Sequence, residues 1–162
     1  MIIRNPTHIE DVENFLAHGH RRRYPAKSTI IYAGDKADTL YYVVKGTVCV
    51  LVEDTKNSKE MIVAYLNPGE FFGEMGLFES GIRSAWIRAK TDCEISEIGY
   101  LKFTELYQKN PQLLLSVTKQ IAKRLKKTTQ NASNLGFLDV TGRLARTLTD
   151  LSSQSDAVSH PD

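Results

Sequence analysis

The stretch from residue 69 to 86 carries the most chemistry: Gly69-Glu70-Phe71-Phe72-Gly73-Glu74-Met75-Gly76-Leu77-Phe78-Glu79-Ser80-Gly81-Ile82-Arg83-Ser84-Ala85-Trp86. Gly73 and Gly76 let the backbone come close to a ligand, and Glu74-Met75 can start a single helical turn whose N–H groups attract an anion. Arg83 supplies a planar fork of donors matched to two phosphate oxygens. Ser84 adds a neutral hydroxyl donor, and Glu74 is an acceptor suited to a sugar hydroxyl. One anion-binding turn, one Arg, one Ser and one Glu describe a site for a singly charged cyclic phosphate on a ribose. Charge-assisted hydrogen bonds contribute about 1.5–3 kcal/mol each. A plainer reading is also open, in which Glu74 pairs with Arg83 across a hairpin.

Those residues must be held by the elements around them. From residue 24 to 99, short β-branched and aromatic runs alternate with glycine turns: 29–32, 40–44, 47–52, 60–66, 85–89 and 93–98. Strands at this spacing, with Gly, Pro and Asn between them, predict an antiparallel β-roll or jelly roll. Residues 53–59 read as an exposed hairpin tip. Ile9, Val12, Phe15 and Leu16 recur at helical spacing and predict a short helix before the roll. His20-Arg21-Arg22-Arg23 reads as a basic, solvated surface.

After Tyr100 the period changes from two to about 3.6. Residues 101–107 predict a short helix ending near Asn110-Pro111, and proline pre-sets the first turn of the next helix. That helix is expected over 111–135. Leu114, Val117, Ile121, Leu125, Ala132 and Leu135 step by three or four residues (or multiples), as a helix seam requires, with Thr128 on the same face. At 1.5 Å per residue such a helix is about 37 Å long. The simplest way to bury its stripe is against a copy of itself, giving a parallel homodimer; packing along its own roll is the alternative. Gly136, Phe137, Asp139 and Gly142 mark a hinge over 136–142, since Asp139 can cap a following helix. The fold class is therefore α+β, with domains at 1–110 (roll), 111–135 (dimerisation helix), 136–142 (hinge) and 143–162 (the start of a further module).

The 162 residues carry 21 Lys+Arg against 19 Asp+Glu, a formal charge of +2, with 41% apolar and 25% charged side chains. That composition excludes a disordered tail, a collagen-like fibre and a disulfide-stapled mini-protein. No apolar run approaches the roughly 18 residues of a membrane span. Two cysteines without a C-x-x-C fit a reducing, cytoplasmic setting. The charge is too mild to argue for nucleic-acid binding by this chain alone.

Gly73-Glu74-Met75-Gly76-Leu77-Phe78 followed by Arg83-Ser84-Ala85 resembles the phosphate-binding cassette of cyclic-nucleotide-binding domains. The motifs at 40–46, 83–91 and 134–142, and the terminal His160-Pro161-Asp162, are similar to the bacterial cyclic-AMP receptor protein family. The likeness extends from about Leu16 to the end of the chain. It implies a homodimeric, cytoplasmic transcription regulator, not an enzyme, that takes cyclic AMP and no metal. By this resemblance Gly73 and Glu74 meet the sugar–phosphate region, Arg83 and Ser84 hold the cyclic phosphate, and Thr128 reads the adenine amino group. Thr129, where the family commonly has serine, would reach the nucleotide of the other subunit. A helix threonine bonding its own preceding carbonyl is the plain alternative for Thr128. Val50, Val63, Ala64 and Leu66 would form apolar walls. His20, Arg22 and Lys102 match a patch that contacts RNA polymerase, with Arg22 where a histidine is usual.

Two loop lengths depart from the pattern: the turn at 80–82 is one residue shorter and the hairpin at 53–59 one residue longer. The family continues past His-Pro-Asp into a winged helix-turn-helix, so the expectation is a fragment that binds nucleotide and dimerises but does not itself read DNA. A metal-dependent enzyme on a roll is the competing class. It needs His and carboxylate ligands on strands, and His8, His18, His20 and His160 all fall outside the expected strands. A haem or redox sensor on the same fold lacks an evident axial ligand, and Cys49 and Cys93 stand singly in strands, where buried cysteine is packing.

Overall fold

Strand-forming runs of Val, Ile, Leu and aromatic residues give two four-stranded antiparallel sheets in the computed structural model, which describes residues 9–54, 59–79, 81–137 and 140–152. The elements are α1 (Ile9–His18), β1 (His20–Tyr24), β2 (Thr29–Ile31), β3 (Thr39–Lys45), β4 (Val48–Asp54), β5 (Lys59–Leu66), β6 (Phe71–Phe72), α2 (Met75–Phe78), β7 (Trp86–Ala89), β8 (Cys93–Gly99), α3 (Tyr100–Lys109), α4 (Pro111–Phe137) and α5 (Val140–Ser152). One sheet has the order β1-β8-β3-β6 and the other β2-β7-β4-β5. The apolar faces meet in a core to which Val43, Phe72 and Ile95 come from the first sheet and Ile31, Val48, Leu66 and Ile87 from the second. The chain divides into two compact units, Met1–Gln120 and Ile121–Asp162.

The six expected strands are all present. β1 and β6 were not expected. His-Arg-Arg-Arg-Tyr has no apolar alternation because β1 is an edge strand exposed along its first four residues; its register with β8 runs from His20↔Glu97 to Tyr24↔Cys93. His20, expected outside any strand, therefore begins β1. Two-residue β6 is too short to show a period. The β4–β5 pair runs out to Asp54↔Lys59, so residues 53–59 do join a hairpin, with 55–58 outside the described residues. α4 continues to Phe137, through Gly136, and α5 starts at Val140, three residues ahead of Arg143. Of the four hinge residues, Gly136, Phe137 and Gly142 are thus helical and Asp139 lies outside the described residues.

On the outer side of the first sheet, Phe15 from α1 is fully buried. Its ring lies 5.2 Å from Phe71 and 6.4 Å from Phe103 of α3. On α4, Leu113 and Val117 are buried within the single chain. Val117, expected in the seam, instead shares the inward face with Leu113 four residues earlier, so it is already covered without a second copy. Leu114 and Ile121 are partly exposed, Leu125 is 65% exposed and Ala132 is exposed, while the side chain of Leu135 is outside the description. Among the described residues no helix is long and apolar enough to cross a membrane.

Candidate functional site

The backbone at Arg83 is pinned on both sides. Its N–H donates to the Asp35 carbonyl (2.9 Å), and its own carbonyl accepts from Gly34 N–H (2.9 Å). Lys36 and Ile82 form an isolated bridge beside it. This anchoring turns the side chain inward, where it is only 8% exposed. Nη1 donates to the Gly73 carbonyl (3.1 Å) and to the Tyr100 hydroxyl (3.2 Å), and Nη2 donates to the Thr39 carbonyl (2.9 Å). These bonds use three of the five guanidinium donors. The guanidinium carbon also lies 5.3 Å from the centre of the Tyr41 ring, which stacks on Phe72 at 4.9 Å and 9°. A cation over an aromatic face gains from the ring quadrupole.

Gly73 follows β6 with φ +74°, a conformation that L side chains rarely adopt. A Cβ there would lie 2.8 Å from Arg83 Nη1 and 3.1 Å from the Thr39 carbonyl oxygen. Glycine is thus required by both backbone angle and space. Glu74 comes next, 8% exposed, at the N-cap of α2, with its carbonyl accepting from Leu77 N–H at 2.9 Å. The expected single turn is therefore real, and it spans Met75–Phe78.

Tyr100 was not anticipated as a site residue. It opens α3, and its hydroxyl donates to the Gly73 carbonyl while accepting from Arg83. Burial pushes its phenol above the ordinary value, with the Arg83 charge opposing and Glu74 adding to the rise. Burial likewise raises Tyr41. Both rings are neutral at pH 7, so the Tyr100 proton is in place for Gly73. Its position, a tyrosine at the junction of β8 and α3, did not by itself distinguish it in the sequence from an ordinary amphipathic residue.

The other expected residues are placed as follows. Ser84 is exposed beside Arg83. Leu66 is in the core, Val50 packs against it, Ala64 is partly buried and Val63 is half exposed. Thr128 and Thr129 belong to the second unit and are exposed. Thr129 donates its hydroxyl to the Leu125 carbonyl (3.0 Å), the local bond that had been considered for Thr128. His20 and Arg22 are exposed on β1, and Lys102 is exposed on α3, where it pairs with Glu105 at 2.8 Å. Cys49 and Cys93 are free and buried, and burial pushes both thiols up, away from reactivity. A surface concavity of about 490 Å³, lined by residues that include Arg23, Tyr24, Lys45 and Glu94, contains none of the expected ligand residues.

Residues 21–110 match the cyclic nucleotide-binding domain model. The chain is 53% identical over 163 aligned residues to the cAMP-activated global transcriptional regulator CRP of Salmonella typhimurium, covering 100% of this chain and 77% of that protein. It is 54% identical to the cAMP-activated global transcriptional regulator Vfr of Pseudomonas aeruginosa, covering 95% and 73%. Among solved structures it is similar to the c-di-GMP responsive global regulator CLP of Xanthomonas campestris, at TM-score 0.85 and 45% identity, covering 95% of this chain and 77% of that one. A catabolite activator protein from Thermus thermophilus matches at TM-score 0.70 and 31% identity, covering 82% and 64%.

The two-sheet roll, with its match to the family model over residues 21–110, places the chain in the class of cyclic-nucleotide-binding domains. The chain belongs to the cyclic nucleotide-binding domain family, in the group of the bacterial cyclic-AMP receptor proteins. Relatives in that group are named as transcriptional regulators, not enzymes.

Proposed function

We propose that this chain is the cyclic-AMP-sensing, homodimeric portion of a bacterial transcription regulator. The observation that carries the proposal is the buried Arg83, held at the Gly73 turn by neutral acceptors with donors to spare. A cyclic phosphate is a monoanion, and a preorganised guanidinium in a partly dry site favours it strongly. In this reading Arg83 and Ser84 hold the phosphate, Glu74 and the Gly73 backbone take the ribose region, Thr128 of the dimerisation helix reads the base, and Thr129 reaches the nucleotide of the other subunit. Val50, Val63, Ala64 and Leu66 limit the pocket.

Ligand binding then biases an equilibrium in how the paired helices continue through residues 136–142 toward a DNA-reading module. The 77% and 73% coverage of the CRP and Vfr relatives supports assigning DNA and polymerase contact to the longer protein. Exposure of His20, Arg22 and Lys102 supports their reading as a polymerase contact. The relatives' names divide between cyclic AMP and c-di-GMP; the Arg83–Ser84 pair, sized for one phosphate, favours cyclic AMP.

The test is a thermal-shift series with cyclic AMP, cyclic GMP and c-di-GMP. Cyclic AMP should raise Tm most, because a ligand that binds only the folded state stabilises it by mass action. A larger shift with c-di-GMP, or no shift with any nucleotide, would contradict the assignment.

A further inference from the structure

Gln120 of α4 joins the segment 69–71, just ahead of the Gly73 turn, through two hydrogen bonds to its backbone. Its Oε1 accepts from Phe71 N–H (2.8 Å) and its Nε2 donates to the Gly69 carbonyl (2.9 Å). A side-chain carboxamide that accepts from the N–H of one residue and donates to the carbonyl two residues earlier clamps the turn at Gly69 (φ +97°) where it enters β6. The opposite edge of the same segment is held by β3: Gly69 N–H donates to the Val43 carbonyl (3.0 Å), and Val43 N–H donates to the Glu70 carbonyl (2.9 Å). Residues 69–71 are thus fixed between a strand and a helix. Two residues further on stands Gly73, whose carbonyl carries Arg83 and Tyr100, and then Glu74.

The partners dictate the residue type. Phe71 N–H offers only a donor and the Gly69 carbonyl only an acceptor, so the amide orientation is unambiguous. Glutamate keeps the first bond and lacks the donor for the second. Methionine keeps length and volume and makes neither. Packing does not need this side chain, because Leu113 and Val117 already bury the same face of α4. The length of the side chain and the two-point contact are unexplained by burial of the helix.

We infer that Gln120 is a positioning residue for the nucleotide site: it fixes the height of the Gly73–Glu74 backbone against the start of α4, so ligand affinity depends on where that helix sits. The inference rests on the sensing function proposed above. It also gives that function a physical link, since the helix that holds the turn continues to Thr128 and Thr129.

The test compares Gln120→Met, Gln120→Glu and Val117→Ala in the 162-residue chain, by calorimetric titration with cyclic AMP, by the Tm of the ligand-free protein, and by the amide resonances of Gly73 and Glu74 without ligand. Gln120→Met should weaken cyclic AMP by about tenfold, the loss of roughly two modest hydrogen bonds. Gln120→Glu should fall between Met and the parent, a partial rescue by the bond it keeps. Both variants should move the Gly73 and Glu74 resonances, whereas Val117→Ala should lower Tm and leave those resonances in place. A Gln120→Met variant that binds as tightly as the parent, or unmoved Gly73 and Glu74 resonances, overturns the inference. If the parent chain binds no cyclic AMP while those resonances still move, the positioning role stands and the sensing function falls.

Discussion

Arg83 shows how much one residue can be read from type and spacing alone, and where such reading stops. Its proposed role rests on glycine spacing and an arginine ahead of a strand. Its actual partners are two backbone carbonyls and a phenol, and carbonyls have no sequence signature, so Thr39 and Gly73 as acceptors were not legible. Tyr100 was missed for a related reason: a tyrosine at a helix start looks like any amphipathic residue until its hydroxyl has a partner. Tyr100→Phe keeps the ring over the guanidinium and removes the hydroxyl shared by Gly73 and Arg83. It should weaken cyclic AMP binding several-fold, about 1 kcal/mol, with unchanged far-ultraviolet circular dichroism. Gly73→Ala combines a left-handed backbone with a Cβ 2.8 Å from Arg83 Nη1, and should lower stability by on the order of 1–3 kcal/mol, read by urea denaturation. Titration of the tyrosines gives a pH prediction. Burial raises Tyr41, Tyr42 and Tyr100 above the unfolded value, and Tyr24 is raised by burial together with its bond to Glu97. For such phenols the folded state holds its protons longer than the unfolded state. Their contribution is therefore complete below about pH 10 and is lost as pH rises toward the folded values. Through these groups Tm should stay level from neutral pH to about pH 9 and fall above about pH 10, in step with tyrosinate absorbance.

At the scale of elements, the β-roll was legible because its central strands alternate and its turns are punctuated by glycine. β1 was not, since an edge strand wet on both faces needs no apolar period and charged edge residues discourage edge-to-edge pairing. β6 was too short to have a pattern. On α4 the sequence stripe merges two faces: Val117 points inward with Leu113, while Leu125 is exposed. A heptad reading cannot separate a residue buried by its own roll from one left for a partner. Phe15 tests the packing of α1 on the sheet. It is fully buried among Tyr42, Phe71 and Phe103, and Phe15→Ala should cost about 3–5 kcal/mol, measured by denaturant unfolding at constant pH.

The whole molecule combines a roll that holds a buried cation with a long helix that still exposes apolar side chains, Leu125 foremost. In the proposed dimer a second copy of the helix covers them, and cyclic AMP sensing requires the helix as well as the roll if Thr128 reads the base. Leu125→Asp places a charge in the proposed seam. It should shift the chain from dimer to monomer in sedimentation velocity while leaving the fold of the roll intact. The central claim is that Arg83 is the anion-holding residue of a cyclic-AMP site. Isothermal titration of cyclic AMP into the parent chain and into Arg83→Ala tests it most directly. The parent should bind cyclic AMP, and Arg83→Ala should bind at least about 30-fold more weakly, as expected for loss of a charge-assisted bond of about 2 kcal/mol. Equal affinities in the two proteins, or no binding by the parent, would contradict it.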